Sequence, residues 1–309
     1  MLSIRTTARG LLVVALLGLA AGTAAASPVD PWPITKIKPK PGPPPSKKKQ
    51  IVFPVLGSVE FTNDFGAPRP QGLHEGNDIL ADRHALALAA EPGRVRFYTG
   101  SGRAGCMLYL DGRSGTTYYY IHLNNDLTEG NDNRGGCKLG VTFPRGLKSG
   151  ARVQAGQPIG YVGDSGDANG LHPHLHFEMH PHHGAATNPY PHLIAAQRML
   201  FYVPPSSTYS LAMIATVVSA GQQSLRVRVN TLRSYPNNLV LRRLDRPLTL
   251  TVPEYATVER GIAGHPAPLA SAKRGERVSI WTASETVTPD AQLGRAGAIT
   301  ADRVLLPGT

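Results

Sequence analysis

The sequence predicts a mainly β protein, with an antiparallel β-sheet domain in its centre and a second, small β-barrel-like domain at its C-terminal end. Three observations lead there. From Ile51 onward, short runs rich in Val, Ile, Tyr and Phe are separated by glycine-bearing turns, which is the mark of strands. Gly (33) and Pro (27) make up about one in five of the 309 residues, above the ~12% of average usage. Beyond Tyr202, three segments alternate apolar and polar residues strictly, as half-buried strands do. The composition also excludes a long coiled coil, which needs Ala/Glu/Lys/Leu-rich heptads, and its 41% hydrophobic content excludes a wholly disordered chain.

Taken in order, residues 1–26 read as a secretory signal peptide, because Arg5 and Arg9 precede an apolar run from Leu11 to Ala21 and the small residues Thr23-Ala24-Ala25-Ala26. That run is too short for a membrane span of ~20 residues, and no later stretch supplies a transmembrane segment. Residues 27–50 hold eight prolines and six lysines against one acid, Asp30. Such a segment cannot bury a core and reads as a semi-rigid, cationic linker. Residues 51–203 form the first folded domain, with strand-like runs at 94–98, 107–110, 116–123 and 158–162. Asp111-Gly112 is a hairpin signal between two of them, and one helix is expected over 190–200, after the turn-forming Asn188-Pro189. Residues 204–309 form the second domain, where the alternating runs 225–229, 248–252 and 277–281 suggest a small barrel of unknown role.

The formal net charge of +11 is unevenly placed: +2 in the leader, +5 in the linker, −1 over residues 51–203 and +5 over residues 204–309. Outside a cell, a cationic arm is drawn to wall polymers such as teichoic acids, or to lipid headgroups, more readily than to nucleic acid. Export also gives the two cysteines a meaning. In an oxidising compartment Cys106 and Cys137 most simply form one disulfide, and neither lies in the Cys-x-x-Cys pair that a zinc-thiolate site would use.

Six of the eleven histidines fall between His172 and His183. In His174-Leu175-His176-Phe177-Glu178 the alternation is that of a strand, which puts His174, His176 and Glu178 on one face and Leu175 and Phe177 on the other. Imidazoles ~6–7 Å apart along a strand can converge on one cavity, and neutral imidazole is a favoured zinc ligand. Upstream, His74 and Asp78 are four residues apart, a spacing that shares a face in either a helix or a strand; Gly76 and Asn77 favour a strand edge. Together with one downstream imidazole they would make a three-ligand site with an open fourth position, the ligand count of a catalytic zinc centre.

A longer ordered series surrounds these residues: Asp64-Phe65-Gly66 and Arg69, then His74-x-x-x-Asp78-Ile79, Ala90-x-x-Gly93-x-Val95, Tyr120-x-His122-Leu123, the glycine-rich run from Val153 to Gly166, His174-Leu175-His176-Phe177-Glu178, and Asn188-Pro189. Over roughly residues 53–200 this series resembles the lysostaphin-type, LytM-like zinc endopeptidases. The resemblance implies a sheet of the duplicated hybrid type and one zinc ion per chain, held by His74, Asp78 and His176. It implies His122 and His174 as the catalytic histidines beside the metal. Glu178 either orients a ligand or pairs with a surface arginine. His84, His172, His180, His182, His183, His192 and His265 read as ordinary core or surface residues. Three features depart from the family's usual form: the histidine-rich stretch after Glu178, a Gly/Asn-rich insertion over residues 124–146, and the two cysteines.

The resemblance further implies a secreted enzyme that cuts the peptide part of peptidoglycan, in the stem peptide or cross-bridge, during wall remodelling or lysis. Its expected partners are peptidoglycan and anionic cell-wall polymers, not nucleic acid. It is expected as a monomer, extracellular or wall-associated, or periplasmic in a two-membrane bacterium. Two other readings stay open: a zinc endopeptidase acting on Gly-rich extracellular proteins, and a non-catalytic module that binds wall or activates an amidase.

Overall fold

The computed structural model describes residues 50–308 apart from Gln71 and Asp245. The leader of residues 1–26 and the linker of residues 27–50, save Gln50, lie outside the described residues. The alternation read from the sequence sets the strands. In chain order the first eleven are β1 Val59–Glu60, β2 Pro68–Arg69, β3 Gly72–Leu73, β4 Asn77–Ala81, β5 Leu86–Leu88, β6 Gly93–Ser101, β7 Gly105–Gly112, β8 Thr116–Leu123, β9 Arg152–Val153, β10 Pro158–Tyr161 and β11 His174–Pro181. A seven-stranded sheet runs β1-β4-β11-β8-β7-β6-β9, antiparallel at every step. β5 pairs with β10, and β2 with β3.

Period-two alternation makes each central strand two-sided. On β11, Leu175, Phe177 and Met179 enter a core shared with Ile79, Leu108, Leu110 and Tyr120, all buried. Their removal from water supplies roughly 1.5–3 kcal/mol for each large side chain. Tyr120 keeps its polar tip satisfied there, donating to the Leu88 carbonyl at 2.9 Å and accepting from the Ala90 amide at 2.9 Å. The opposite face of β11 is left to His174, His176, Glu178 and His180.

The β7–β8 hairpin is present, but Asp111-Gly112 closes β7 and is not its turn. The chain reverses through residues 113–115, where Gly115 adopts φ 84° and its amide donates to the Gly112 carbonyl at 3.1 Å. The helix expected over 190–200 is α1 Tyr190–Ile194, only five residues long. Beyond it the backbone is captured by the N-terminal segment: Gln197 donates to the Ile51 carbonyl and accepts from the Phe53 amide, each at 2.9 Å.

Nine further strands follow: β12 Thr208–Ala220, β13 Ser224–Tyr235, β14 Leu239–Arg242, β15 Pro247–Thr251, β16 Thr257–Arg260, β17 His265–Pro266, β18 Arg277–Trp281, β19 Glu285–Thr286 and β20 Arg303–Leu306. Their sheet runs β14-β13-β12-β18-β20-β16-β17, with β15 on β13 and β19 on β12. Leu211, Met213, Ala215, Leu225, Val227, Ile280 and Val304 fill a second core. A parallel bridge between Thr251 and Thr300 brings the end of β15 back beside the segment entering β20. The sheet therefore curls around its core, without a continuous ladder closing it into a barrel among the described residues. A third apolar cluster, Val52, Leu56, Leu88 and Leu241, joins residues of the two regions. No helix among the described residues is long and apolar enough to cross a membrane.

Candidate metal centre

Register brings the site together. β4 and β11 pair so that His176 lies directly across from Asp78, and β11 and β8 pair so that His176 lies across from Ile121, one residue before His122. His74 is not on β4 but in the segment before it, where its amide donates to Ala67 at 2.9 Å and its carbonyl accepts from Gly66 at 2.8 Å. The chain passes so close to β11 there that a Cβ on Gly76 would lie 2.6 Å from the Phe177 carbonyl oxygen, so only glycine fits. His122, at φ 60°, leaves the strand alternation of β8 in a left-handed conformation.

His74 Nε2, His176 Nδ1 and Asp78 Oδ1 converge. Nε2 and Nδ1 are 2.9 Å apart, and they lie 3.1 and 3.0 Å from the carboxylate oxygen. Among the described residues this is the one trio of His, Cys, Asp or Glu side chains whose potential ligand atoms gather in this way. Each is oriented from behind. His74 donates from Nδ1 to the Asp64 carbonyl at 3.0 Å, which leaves Nε2 as a lone pair when the ring is neutral. His176 donates from Nε2 to Glu178 Oε1 at 2.9 Å, which leaves Nδ1 as the lone pair. Arg69 donates to Asp78 Oδ2 at 2.7 Å, freeing Oδ1 to face the histidines. The Asp64 loop is itself fastened by Asn77, whose amide donates to Asp64 Oδ1 at 2.6 Å and to the Thr62 carbonyl at 2.9 Å.

Two imidazole lone pairs and a carboxylate oxygen at about 3 Å demand a cation between them. With only protons available, burial disfavours charge on His176, yet the hydrogen bonds to Asp78 and Glu178 outweigh it and raise its pKa to about 9. Burial likewise opposes ionisation of Asp78, but the bonds from His176 and His74 win and hold the carboxyl well below the usual range. Two neutral imidazoles with one carboxylate form a donor set suited to zinc, so the residues present fit the metal the sequence pattern implies.

His122 and His174 stand beside the trio. Their ring centroids are 5.1 Å apart, His122 is 5.9 Å from His176, and His174 Nε2 lies 3.9 Å from Asp78 Oδ1. Both are tautomerically fixed in the same sense, His122 donating from Nδ1 to the Ser165 carbonyl at 2.8 Å and His174 to the His172 carbonyl at 2.9 Å. Burial, reinforced by the neighbouring His174 and His176, lowers the His122 pKa to about 4, so its imidazole is neutral at pH 7.

The structure gives Glu178 the first of its two expected roles and adds His180 to this picture. Glu178 faces the site, bridging His176 and His180, whose Nε2 lies 2.6 Å from Glu178 Oε2. Burial opposes charge on Glu178, but the two histidines hold its pKa at about 2. His180 is buried, donates from Nδ1 to the Gly184 carbonyl at 2.9 Å and stacks on Tyr119 at 4.0 Å. It is therefore part of the site's support and not the ordinary histidine expected. The alternation from His174 through Glu178 extends to His180, so its placement was legible in the same pattern. His84 and His183 lie apart, near Glu129 and Thr117.

The insertion over residues 124–146 is anchored by the disulfide expected from the sequence and by a clamp that the sequence did not show. The Cys106–Cys137 disulfide ties it to β7, a residue across from Leu123 in the ladder. Arg83 clamps its base, donating to Asp126 and, at 2.6 and 2.9 Å, to both oxygens of Asp164. Asp126 in turn accepts from the Asp132 and Asn133 amides.

Part of the chain is similar to known peptidases. Residues 138–189 match the model of peptidase family M23. Over 157 residues, 47% of this chain and 43% of the relative, the sequence is 29% identical to the L-Ala–D-Glu endopeptidase of Bacillus subtilis strain 168. The chain thus spans less than half the length of that curated relative. Among solved structures, the catalytic domain of lysostaphin from Staphylococcus simulans is 22% identical, with 45% of this chain and 92% of that chain covered and a TM-score of 0.33. A mutant catalytic domain of the prophage-encoded M23 protein EnpA from Enterococcus faecalis is 25% identical, with 43% and 89% covered and a TM-score of 0.32. The stretch that carries His174 and His176 is thus similar to peptidase family M23.

Proposed function

We propose that the protein is a secreted zinc-dependent endopeptidase that hydrolyses peptide bonds in the peptide part of peptidoglycan. The observation that carries this reading is the convergence of His74, Asp78 and His176, each fixed from behind so that one lone pair faces a common point. These three residues would hold one zinc ion per chain. Bound there, zinc supplies Lewis acidity toward a carbonyl oxygen and lowers the pKa of water toward ~7. The neighbouring histidines supply the proton work. His122 is neutral at pH 7 and exposes Nε2 as an acceptor, so it can take a proton from the attacking water. His174 has the same free Nε2 and can hold a proton or a hydrogen bond at the scissile carbonyl or leaving amine.

The relative from B. subtilis is named for cleaving between L-Ala and D-Glu, a peptidoglycan linkage that makes the stem peptide the favoured substrate class. Because that polymer lies outside the cytoplasm, the reading includes export by the 1–26 leader and attraction of the 27–50 linker to anionic wall polymers. The 51–203 region would be the catalytic domain and 204–309 an accessory one. Purified peptidoglycan digested by the mature protein should yield new amino termini identifiable by mass spectrometry, and chelator should stop their release. Cleavage of soluble Gly-rich protein with intact walls would favour the other substrate, and no cleavage of either would leave only the binding module.

A further inference from the structure

The curled sheet of residues 208–306 buries one face and turns the other to solvent, and the acids on its strands are Glu259 on β16 and Glu285 on β19. β12, β13, β14, β15, β18 and β20 contain no Asp or Glu. Their exposed positions carry Arg226, Arg228 and Arg233 on β13, Arg242 on β14 and Arg277 on β18. On β13 these alternate with buried Leu225, Val227 and Val229, so the guanidinium groups share the outer face.

Register arranges them as two walls. Thr216 on β12 pairs with Arg228 on one side and Arg277 on the other, and Ala212 pairs with Arg233 on one side and Trp281 on the other. On its outer face β12 presents Ala212, Ile214 and Thr216 in turn, so long cationic or aromatic side chains flank small ones at the Ala212 and Thr216 rungs, while Ile214 lies between Thr231 and Ser279 at the rung between them. With strands ~4.8 Å apart, the walls stand ~10 Å from each other at the backbone, about the width of one extended polymer chain. Arg226, Arg228, Arg242 and Arg277 have no carboxylate partner among the described residues, whereas Arg260, Arg295 and Arg303 are paired with Glu276, Asp290 and Glu259.

We propose that this trough along β12 binds a single strand of an anionic wall polymer whose charges are phosphodiesters, of the polyol-phosphate kind. Guanidinium groups match phosphate oxygens two at a time, and unpaired arginines give up no protein partner on binding. Nucleic acid fits less well. A duplex is too wide for a trough one strand across, and single strands are held by successive aromatic platforms. The trough has Trp281, already covered by the Arg303 guanidinium at 5.4 Å from its ring centre. The choice of a wall polymer over an intracellular one rests on the proposed peptidoglycan reading; the chemistry of the trough does not.

The test uses the mature chain, the double variant Arg228→Ser/Arg277→Ser, and a control that removes the same charge elsewhere, Lys148→Ser/Arg152→Ser. Binding to purified poly(glycerol phosphate) is measured by calorimetry over a range of salt. The trough variant should bind at least tenfold more weakly, and the slope of log K against log salt should flatten by about one to two, at ~0.7 for each phosphate of a single strand that is no longer neutralised. The control should bind as the parent does. Equal weakening in both variants, or no binding by the parent, would overturn the proposal. Tighter binding of a single-stranded DNA oligonucleotide through the same arginines would overturn the wall-polymer assignment. Hydrolysis of polymer-free peptidoglycan fragments by the trough variant should match the parent, so failure of the peptidase reading and failure of the trough show up in separate measurements.

Discussion

Replacing Glu178 by Gln keeps the size of the side chain and removes its charge, which isolates what the carboxylate does behind His176. In the native site one oxygen accepts from His176 Nε2 at 2.9 Å and the other from His180 Nε2 at 2.6 Å. A glutamine offers one carbonyl oxygen and one amino group, so it can accept from only one of the two rings. Whichever ring is deserted forfeits a buried, charge-assisted hydrogen bond worth about 1.5–3 kcal/mol. Part of that cost falls on the orientation of Nδ1 toward the trio. Removal of such an outer partner commonly weakens metal binding about 10–100-fold, or roughly 1.4–2.7 kcal/mol. Competition against a fluorescent chelator should therefore show zinc dissociating 10–100-fold more readily from Glu178→Gln, with the fold retained by circular dichroism. Zinc affinity equal to the parent's would refute the claim that Glu178 orients His176, and would leave it an incidental neighbour.

His74→Ala, Asp78→Ala and His176→Ala should lose metal and hydrolysis together, whereas His122→Ala and His174→Ala should keep zinc by elemental analysis and lose a hundredfold or more in rate. Should His174→Ala keep both its zinc and its full rate, the division between ligand and proton-transfer residues is wrong. The His122 ring should stay neutral down to about pH 4 in a metal-free NMR titration. Since its unfolded pKa is ~6.5, the unfolded chain takes up this proton first, so this group's contribution to stability is full above pH ~6.5 and declines as pH falls toward 4. A folded midpoint near 6.5 would contradict the buried geometry. Reduction of Cys106–Cys137, which closes a separation of 31 residues, should lower stability by ~3–4 kcal/mol in the chain-entropy model, read as a lower melting temperature.

The parts of the fold legible in the sequence were those written in short apolar runs or in alternation. β6, β7, β8 and β10 fall on short runs rich in Val, Ile, Tyr and Phe, β13, β15 and β18 fall where apolar residues recur at every second position, and the two faces of β11 separate Leu175 and Phe177 from His174 and His176 as the pattern requires. What was not legible depended on distant backbone. Nothing local to Ile194 announces that Gln197 will be drawn to Ile51 and Phe53, so the helix looked longer than it is. His74 and Asp78 do converge, but through a loop pinned by Asp64 and Asn77 and not by a shared strand face. The Arg83 clamp joins residues 43 and 81 positions apart, and no spacing rule finds it. His180 is the instructive case, because the alternation reached it and only its place beside His182 and His183 in a histidine-rich stretch made it look incidental.

In the proposed enzyme, peptidoglycan cleavage depends on one zinc ion held by His74, Asp78 and His176. Chelator-stripped mature protein titrated with zinc, while the release of new amino termini from purified peptidoglycan is followed, tests it directly. Activity should rise in proportion to added zinc and level off at one equivalent per chain, with no rise for His176→Ala. Full release by the stripped protein before any zinc is added, or an equal response from His176→Ala, would contradict it.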